Sequence, residues 1–297
     1  MISGKQRVLE LKSPAKVNLR LEVLDKREDG YHEIRTVFQK IDLCDRVRVA
    51  LEDEKGVRVT TDHPRLAVDR SNLTYRAAQA LLGRSGYRAG ISIHIDKKIP
   101  LGAGLGGGSS NAAATLKALN ELTGLGLCPE ELTTVGARIG ADVPFFLTGA
   151  GAAVGTGIGE RLKEIALPAL WYVLIYPDFE VSTAWAYQNF RLTKRMDHLS
   201  IKGFLTTPEG ISKILRNDLE EVVAKQFFQI DQMKEILICA GAMGTLMSGS
   251  GPTVFGIFPK KRGADRAFKE VKAHAEDQGW LAFESRGLKA DLGHTSG

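Results

Sequence analysis

The sequence predicts an α+β protein of two domains, and three observations support this fold class. The chain has 297 residues, which at about 150 residues per domain suits two domains. Its first 60 or so residues alternate between polar and apolar side chains, as half-buried strands do. From position 171 onward, apolar segments and helical patterns follow one another in the order of a small α+β sandwich. We therefore expect an N-terminal domain over 1–165 and a C-terminal domain over 166–297.

The composition is that of an ordinary globular protein. Hydrophobic residues make up 43% and charged residues 25%, which excludes a disordered, collagen-like or fibrous chain. Lysine and arginine exceed aspartate and glutamate by 40 − 35 = 5. This excess suits an acidic small molecule, a phosphate ligand or weak nucleic-acid affinity equally well. Glycine is enriched, with 32 residues of 297 against a usual share of ~7%.

The N-terminus and the cysteines predict a cytoplasmic protein. Residues 1–7 become charged before any apolar run, so we expect no signal peptide. Cys44, Cys128 and Cys239 are scattered, which argues against both a disulfide framework and a zinc site. The uncharged stretch 236–258 is long enough to span a membrane, but its glycines predict a strand, a turn and a second strand instead.

The first third of the chain is predicted to be mostly strands. The segment around Lys16 and Asn18 alternates with a period of two, which places both residues on the polar face of one strand. A helix over 71–82 has Ser71 or Asn72 as its cap and turns its alanines and leucines inward. Alternation also predicts strands at 91–95 and, as a pair, at 47–51 and 57–59.

The remaining elements are mainly helical. A glycine loop beginning at Pro100 leads into an alanine-rich helix that should end near Gly124. Three side chains can cap that helix, namely Ser109, Ser110 and Asn111. The next helix opens at Pro129 and stops at Gly140, and an apolar strand follows over 145–154. In the second half we expect strands at 171–176 and 280–284, and helices from Ser182, from Thr207, over 217–239 and over 262–278.

The main functional signal is the glycine-rich loop itself. Its residues are Pro100, Leu101, Gly102, Ala103, Gly104, Leu105, Gly106, Gly107, Gly108, Ser109 and Ser110. Small side chains let the main chain approach a phosphate, and the unpaired N–H groups at the start of the helix face that anion. Lys97 and Lys98 add positive charge just upstream. A flexible linker is the alternative, but this loop joins a regular strand to a strongly patterned helix.

Two other nucleotide-binding loops fit less well. Walker A requires a lysine after its glycines, and none follows here. The spacing of Gly102, Gly104 and Gly107 matches the dinucleotide pattern, but the acid expected about 20 residues later falls, as Glu121, within the helix. A loop this rich in glycine matches so loose a pattern by chance.

Three segments resemble the motifs of the GHMP kinases, the superfamily of galacto-, homoserine, mevalonate and phosphomevalonate kinases. The glycine loop resembles the phosphate loop of that family, residues 13–19 its first motif and residues 248–252 its third. The third motif would form a second glycine turn beside the phosphates, or else a tight hairpin. The resemblance implies a two-domain GHMP kinase fold, with an N-terminal ribosomal-protein-S5-like domain and a C-terminal ferredoxin-like α/β sandwich. It also implies a kinase that uses ATP as co-substrate together with Mg²⁺.

Further segments narrow the resemblance to one branch of this family. Residues 29–33, 71–73 and 140–146 resemble the branch that phosphorylates a hydroxyl of a cytidine diphosphate substrate in isoprenoid precursor synthesis. The implied partners are that small molecule and ATP, with no nucleic acid and no membrane, and the chain would be a monomer or weak homodimer. Another GHMP kinase is one alternative. An RNA-binding protein is a second, because the chain is basic and the N-terminal halves of these kinases resemble a ribosomal protein, although no interleaved basic and aromatic stripe is present.

Asp142 and Lys16 are the catalytic candidates that the resemblance favours. Phosphoryl transfer benefits from a base near the attacking hydroxyl, and Asp142 follows the helix terminator Gly140 in a short loop. Pro144 is expected to hold Val143 extended and so to constrain that loop. Lys16 would stabilise the charge of the aspartate, orient the hydroxyl or meet the γ-phosphate. A turn-forming aspartate and a solvated lysine are the alternatives.

Four residues are candidate substrate ligands, namely Asn18, Tyr31, His32 and Tyr187. Asn18 can donate or accept a hydrogen bond from the strand face that it shares with the catalytic lysine. Tyr31 and His32 can supply the flat surface and the hydrogen bonds that a cytosine needs, although sheet packing is an alternative. Tyr187 is the weaker candidate for a second stacking face, since helix core explains it better. Ser110 matches the loop serine that members of the family use for magnesium, but the metal ligands stay unassigned.

Overall fold

A computed structural model describes residues 8–85, 90–192 and 201–289. Residues 1–7, for which the sequence predicts no signal peptide, lie outside these ranges. The strands, β1 to β11 in chain order, are Val8–Lys26, His32–Glu52, Gly56–Thr61, Gly90–Asp96, Ala152–Thr156, Arg161–Ile165, Trp171–Tyr176, Arg216–Asn217, Thr245–Met247, Val254–Phe258 and Leu281–Arg286. The helices, α1 to α9, are Leu73–Ser85, Gly107–Thr123, Pro129–Ala137, Val143–Leu147, Thr183–Asn189, Pro208–Ile214, Glu220–Gln226, Gln229–Cys239 and Lys261–Asp277. This mixture of two sheets with helices confirms the predicted α+β class.

The described residues form two compact units. The first contains residues up to 15, 44–99 and 106–149, and the second contains 16–43, 100–105 and 150 onward. β1 and β2 contribute to both units because the division falls within these strands. The glycine loop likewise begins in the second unit and continues, after Leu105, into the first. The domain boundary expected near residue 165 stays a prediction.

In the first unit, α1 connects two parallel strands. β3 pairs in parallel with β4, with Val57 beside Ile91, and β4 pairs antiparallel with the later part of β2. The expected pairing of 57–59 with 47–51 is therefore wrong. Two parallel strands need a crossover connection between them, and α1 provides it for β3 and β4. This connection allows β3 to pair with β4 instead of with β2. α1 then packs against α2.

A short helix, α4, replaces the start of the strand that the sequence predicts over 145–154. Val143 to Leu147 are helical, and β5 begins only at Ala152. The expectation of an extended Val143 is also wrong. Pro144 lies in the first turn of α4, where a missing N–H costs no intrahelical hydrogen bond. All residues of α4 are buried, so the unbroken apolar run reflects burial on every side.

In the second unit, an antiparallel sheet has the strand order β11-β7-β10-β9. α8 and α9 pack against this sheet. α9 turns a row of small apolar residues inward at helical spacing, namely Ala264, Ala267, Val271 and Ala275. In the same unit, β5 pairs antiparallel with the first part of β2 and with β6. β8 pairs in parallel with β1.

Most local signals in the second half are confirmed, but the single helix expected over 217–239 is wrong, because Asn217 ends β8 and two separate helices, α7 and α8, follow. β7 occupies 171–176, and the hydroxyls of Ser182 and Thr207 cap α5 and α6 by accepting hydrogen bonds from main-chain N–H groups. The uncharged stretch 236–258 contains the end of α8, then β9, a glycine turn and β10. Within the described ranges, no helix is long and apolar enough to cross a membrane.

Candidate active site

Lys16 and Asn18 lie side by side on β1, as the alternation predicts, but neither is solvated. Their exposed fractions are only 4% and 2%. The Lys16 ammonium donates to Asn18 Oδ1 at 2.6 Å and to the carbonyl of Gly104 at 2.9 Å. The Asn18 amide donates in turn to Thr36 Oγ1 at 2.8 Å. Since a buried ammonium is costly without acceptors, these bonds fix the position of its charge.

The third motif meets the first motif and the glycine loop in the second unit. Ser248 Oγ donates to the carbonyl of Gly104 at 3.0 Å and accepts from the N–H of Asn18 at 3.3 Å. The N–H of Lys16 donates to the carbonyl of Leu105 at 2.9 Å. Three segments that are far apart in sequence therefore share one hydrogen-bonded junction.

Two glycines make this junction possible. Gly104 has φ +75°, and a Cβ at this position would lie 2.1 Å from the carbonyl oxygen of Ser248. Gly249 has φ +58°, and a Cβ there would lie 3.3 Å from Lys16 Nζ. Asn217 holds the glycine turn of the third motif, because its amide donates to the carbonyl of Gly249 at 2.7 Å. No local pattern in the sequence marks Asn217, because its role depends on a contact distant in sequence.

The first part of the glycine loop is anchored rather than flexible. Ala103 and Leu105 are buried, whereas Gly102 is exposed. The hydroxyl of Tyr176 donates to the carbonyl of Leu101 at 3.0 Å. The interpretation of this segment as a flexible linker is therefore wrong.

The second part of the loop forms the start of α2 in the first unit. The helix begins at Gly107, its N-cap is Gly106 with φ +70°, and no side chain in the described part of the chain caps it. The expected caps Ser109, Ser110 and Asn111 are instead residues of the helix itself. The first N–H groups of α2 thus keep the positive end of the helix dipole available to an anion.

Ser13 occupies the position beside this helix turn. Its Oγ lies 2.8 Å from Ser110 Oγ and 2.6 Å from Asn111 Oδ1, and all three residues are buried. The contacts tie the beginning of the first motif to the first turn of α2. The side chains of Ser110 and Asn111 therefore bond to Ser13 and do not cap the end of the helix.

Lys97 does not add free positive charge to the loop, contrary to the expectation. Its Nζ lies 2.7 Å from Asp45 Oδ2, and both side chains are buried. Asp45 Oδ1 also accepts from the N–H groups of Lys98 and Ile99, at 2.7 and 2.8 Å. Burial lowers the pKa of Lys97 although Asp45 opposes this shift. The pair therefore holds the turn that precedes the loop, while Lys98 is exposed.

Asp142 lies in the first unit between α3 and α4 and is half-buried. Its loop adjoins the start of α2, because Leu73 Cδ1 lies 3.7 Å from the Cβ positions of both Gly108 and Gly140. Ser109 Oγ lies 3.6 Å from the Cβ position of Gly140. The structure thus brings the loop of the candidate base next to the start of the candidate phosphate helix. Lys16 belongs to the other unit, and its partnership with Asp142 stays a prediction.

The aromatic candidates lie in the second unit around the turn at Gly30, which has φ +85°. Tyr31 is 59% exposed, so it is available to a ligand. The His32 ring stacks on Tyr187, with centroids 5.1 Å apart and planes at 27°. Burial, and then the charge of Lys26, lowers the pKa of His32 and so favours the neutral imidazole. Tyr187 therefore supports His32, and its contact with substrate stays a prediction.

Comparisons with known proteins agree with this arrangement. The model of the GHMP kinases N terminal domain matches residues 72–150, and that of the GHMP kinases C terminal domain matches residues 201–277. The chain is 48% identical to 4-diphosphocytidyl-2-C-methyl-D-erythritol kinase of Geobacter sp. (strain M21), over 94% of this chain and 98% of that protein. The chain belongs to the 4-diphosphocytidyl-2-C-methyl-D-erythritol kinase family of the GHMP kinases.

Solved structures support membership of this family. A crystal structure of 4-(cytidine 5'-diphospho)-2C-methyl-D-erythritol kinase matches with a TM-score of 0.80 and 36% identity, over 94% of this chain and 99% of the other. Homoserine kinase from Cytophaga hutchinsonii matches with a TM-score of 0.76 and 22% identity, over 97% of each chain. The second match shows the shared GHMP kinase fold alone.

Next to the candidate residues, this family member carries a buried ion-pair cluster that sequence reasoning missed. Glu22, 3% exposed, lies 2.6 Å from the guanidinium groups of both Arg20 and Arg35. Burial alone would raise the pKa of Glu22, but hydrogen bonds from these two arginines lower it below its usual range. The alternation of β1, which continues from Asn18 to Arg20 and Glu22, was a signal for a shared polar face. It did not reveal that this face is buried.

The junction predicts an unusually strict requirement for glycine at position 104. Gly104→Ala should reduce the free energy of unfolding by at least ~2 kcal/mol more than Gly126→Ala, because overpacking against Ser248 adds to the cost of the left-handed backbone. Gly126, also at positive φ (+66°), has nothing within 4 Å of its Cβ position and so controls for backbone strain. Urea denaturation measures both variants. Equal losses would contradict the steric argument.

Proposed function

We propose that the protein transfers the γ-phosphoryl group of ATP to the 2-hydroxyl of 4-diphosphocytidyl-2-C-methyl-D-erythritol. The products are ADP and the corresponding 2-phosphate, in the non-mevalonate route to isoprenoid precursors. The observation that carries this proposal is the 48% identity, over 94% of the chain, to the Geobacter kinase of that name. The uncapped start of α2 behind a glycine loop supports it, since kinases need such an anion site.

The phosphates of ATP would bind along the loop 100–110. Main-chain N–H groups at Gly107 and Gly108 would face them at the start of α2, with the helix dipole adding attraction. Within the described ranges there is no group of three or more His, Cys, Asp or Glu side chains that could hold a metal. The buried Ser110 hydroxyl lies against Ser13, so we assign no protein ligand. Mg²⁺, which neutralises phosphate charge during transfer, would be held mainly by ATP and water.

Asp142 would act as the general base. It would accept the proton of the 2-hydroxyl while that oxygen attacks the γ-phosphorus, and the bond from this phosphorus to the ADP oxygen would break. The Lys16 ammonium would stabilise the negative charge that accumulates on the transferred group. Its fixed hydrogen bonds to Asn18 and Gly104 mean that little reorganisation would be needed during the reaction.

The cytosine would bind beside the Gly30 turn. The exposed Tyr31 ring offers a stacking surface, and the neutral imidazole of His32 offers a hydrogen bond. Tyr187 would contribute by holding the imidazole in place. Asn18 would contact the alcohol end of the substrate, close to Lys16.

We expect this reaction to take place in the cytoplasm, with the chain as a monomer or weak homodimer. Cys44, Cys128 and Cys239 are all free thiols, which suits a reducing compartment.

A substrate panel tests the proposed activity. Purified protein with ATP and Mg²⁺ should release ADP with 4-diphosphocytidyl-2-C-methyl-D-erythritol and show at least 100-fold lower kcat/KM with mevalonate, homoserine and galactose. A coupled ADP-release assay measures each rate. Faster turnover of another alcohol would establish a different GHMP kinase, and no turnover of any would refute the proposal.

The base assignment predicts a selective loss in Asp142→Asn. Because general base catalysis contributes about 100- to 10,000-fold, kcat should fall by roughly that factor while the Kd for ATP stays within twofold. Single-turnover phosphorylation and calorimetric ATP titration separate the two effects. Glu121→Gln removes an exposed carboxylate from α2 in the same unit and should leave kcat unchanged. An Asp142→Asn variant that retains kcat would remove this residue from the base role.

The stacking proposal predicts that the Tyr31 ring, and not its hydroxyl, contributes to substrate affinity. Stacking on a base is worth about 1–3 kcal/mol, so Tyr31→Ala should raise KM for the cytidyl substrate by about tenfold or more. KM for ATP should stay within twofold, and Tyr31→Phe should behave as the unmodified protein. Steady-state kinetics with each substrate varied in turn provide the comparison. An equal rise in both KM values would indicate a general structural effect instead.

A further inference from the structure

A cavity of about 690 Å³ opens in the first unit, between the beginning of α1 and the end of α3. Arg70, Arg76 and Arg138 line it together with Tyr75, and Val135 and Ile139 provide apolar surface. No residue of the glycine loop 100–110 is part of its wall. The cavity is thus distinct from the proposed phosphate site.

The three guanidinium groups are not neutralised by the described part of the protein. None of them forms an ion pair with a described carboxylate, and all three residues are exposed. The neighbouring acid, Asp69, accepts hydrogen bonds from the hydroxyl and N–H of Ser71 at 2.6 and 2.9 Å. This concentration of positive charge in a concave surface attracts anions.

The positions of the arginines also suit a ligand that bridges two helices. The Arg76 guanidinium donates to the carbonyl of Arg138 at 3.4 Å, which places the end of its side chain beside α3. Guanidinium groups present paired N–H donors that match phosphate oxygens. Val135 and Ile139 are buried, and the half-buried Tyr75 adds an aromatic ring. The volume lies in the range of small-molecule sites.

We propose that this cavity binds a small phosphate ester whose organic part is apolar or aromatic. Its phosphate would contact Arg76 and Arg138, with Arg70 adding charge, and its organic part would contact Tyr75 and the apolar surface. Such a ligand would join α1 to α3. Leu73, at the start of α1, lies 3.7 Å from the Cβ position of Gly140, and α3 leads to the loop of Asp142, so occupancy would also affect the position of that loop.

Phenyl phosphate is the probe that tests this site. Calorimetric titration into the full chain, with a saturating nonhydrolysable ATP analogue present to occupy the glycine loop, should give one further site with a Kd in the millimolar range or lower. The double variant Arg76→Gln, Arg138→Gln should weaken this Kd at least tenfold. Arg48→Gln removes an exposed arginine of the same unit that is outside the cavity and should change the Kd less than twofold.

Two further ligands and one further variant make the result decisive. Inorganic phosphate should bind at least fivefold more weakly than phenyl phosphate, because it lacks the aromatic group. If the double variant does not fold, Arg70→Gln should still weaken binding about threefold. The proposal is overturned if phenyl phosphate does not bind at 10 mM, or if the arginine variants bind it as the unmodified protein does. It is also overturned if a 12-nucleotide RNA binds more tightly through the same arginines.

Discussion

The carbonyl oxygen of Gly104 is the acceptor on which the junction of the second unit depends. It accepts hydrogen bonds from the ammonium of Lys16 and from the hydroxyl of Ser248. The first and third motifs are therefore joined through one atom of the glycine loop. A buried ammonium needs such acceptors, and the loop can pass this close to Ser248 only without a side chain, because a Cβ at position 104 would lie 2.1 Å from the Ser248 carbonyl oxygen. Besides the close approach to a phosphate that we propose, glycine in the loop therefore allows close approach to the protein's own Ser248.

Charge compensation separates the supporting residues from the candidate phosphate site. Lys97 is buried against Asp45, and Glu22 is buried between Arg20 and Arg35, so these charges contribute to position and not to attraction of a ligand. The start of α2 differs, since no described side chain caps it. The positive potential that remains at this end of the helix is the one a phosphate would encounter. The sequence alone does not distinguish the charged side chains that are paired from positive charge that is free to attract a ligand.

Much of the fold could be predicted from the sequence because its signals are local. Ser182 and Thr207 cap their helices as expected, and the alternation around Lys16 places it beside Asn18. The failures arise where distant contacts decide the outcome. The apolar run after Asp142 becomes a helix because it is buried on all sides, and the predicted helix caps lie within α2. Likewise, nothing in the local sequence of Asn217 indicates that it holds the turn of the third motif.

The two catalytic candidates lie in different kinds of structure. Lys16 lies within the long strand β1, and its ammonium is fixed by hydrogen bonds to specific acceptors. Asp142 lies between two short helices, in a loop whose Gly140 has Leu73 Cδ1 3.7 Å from its Cβ position. Packed helices can adjust by small shifts. If a ligand binds between α1 and α3, as we propose, the Asp142 carboxylate is therefore the catalytic candidate whose position would respond to it.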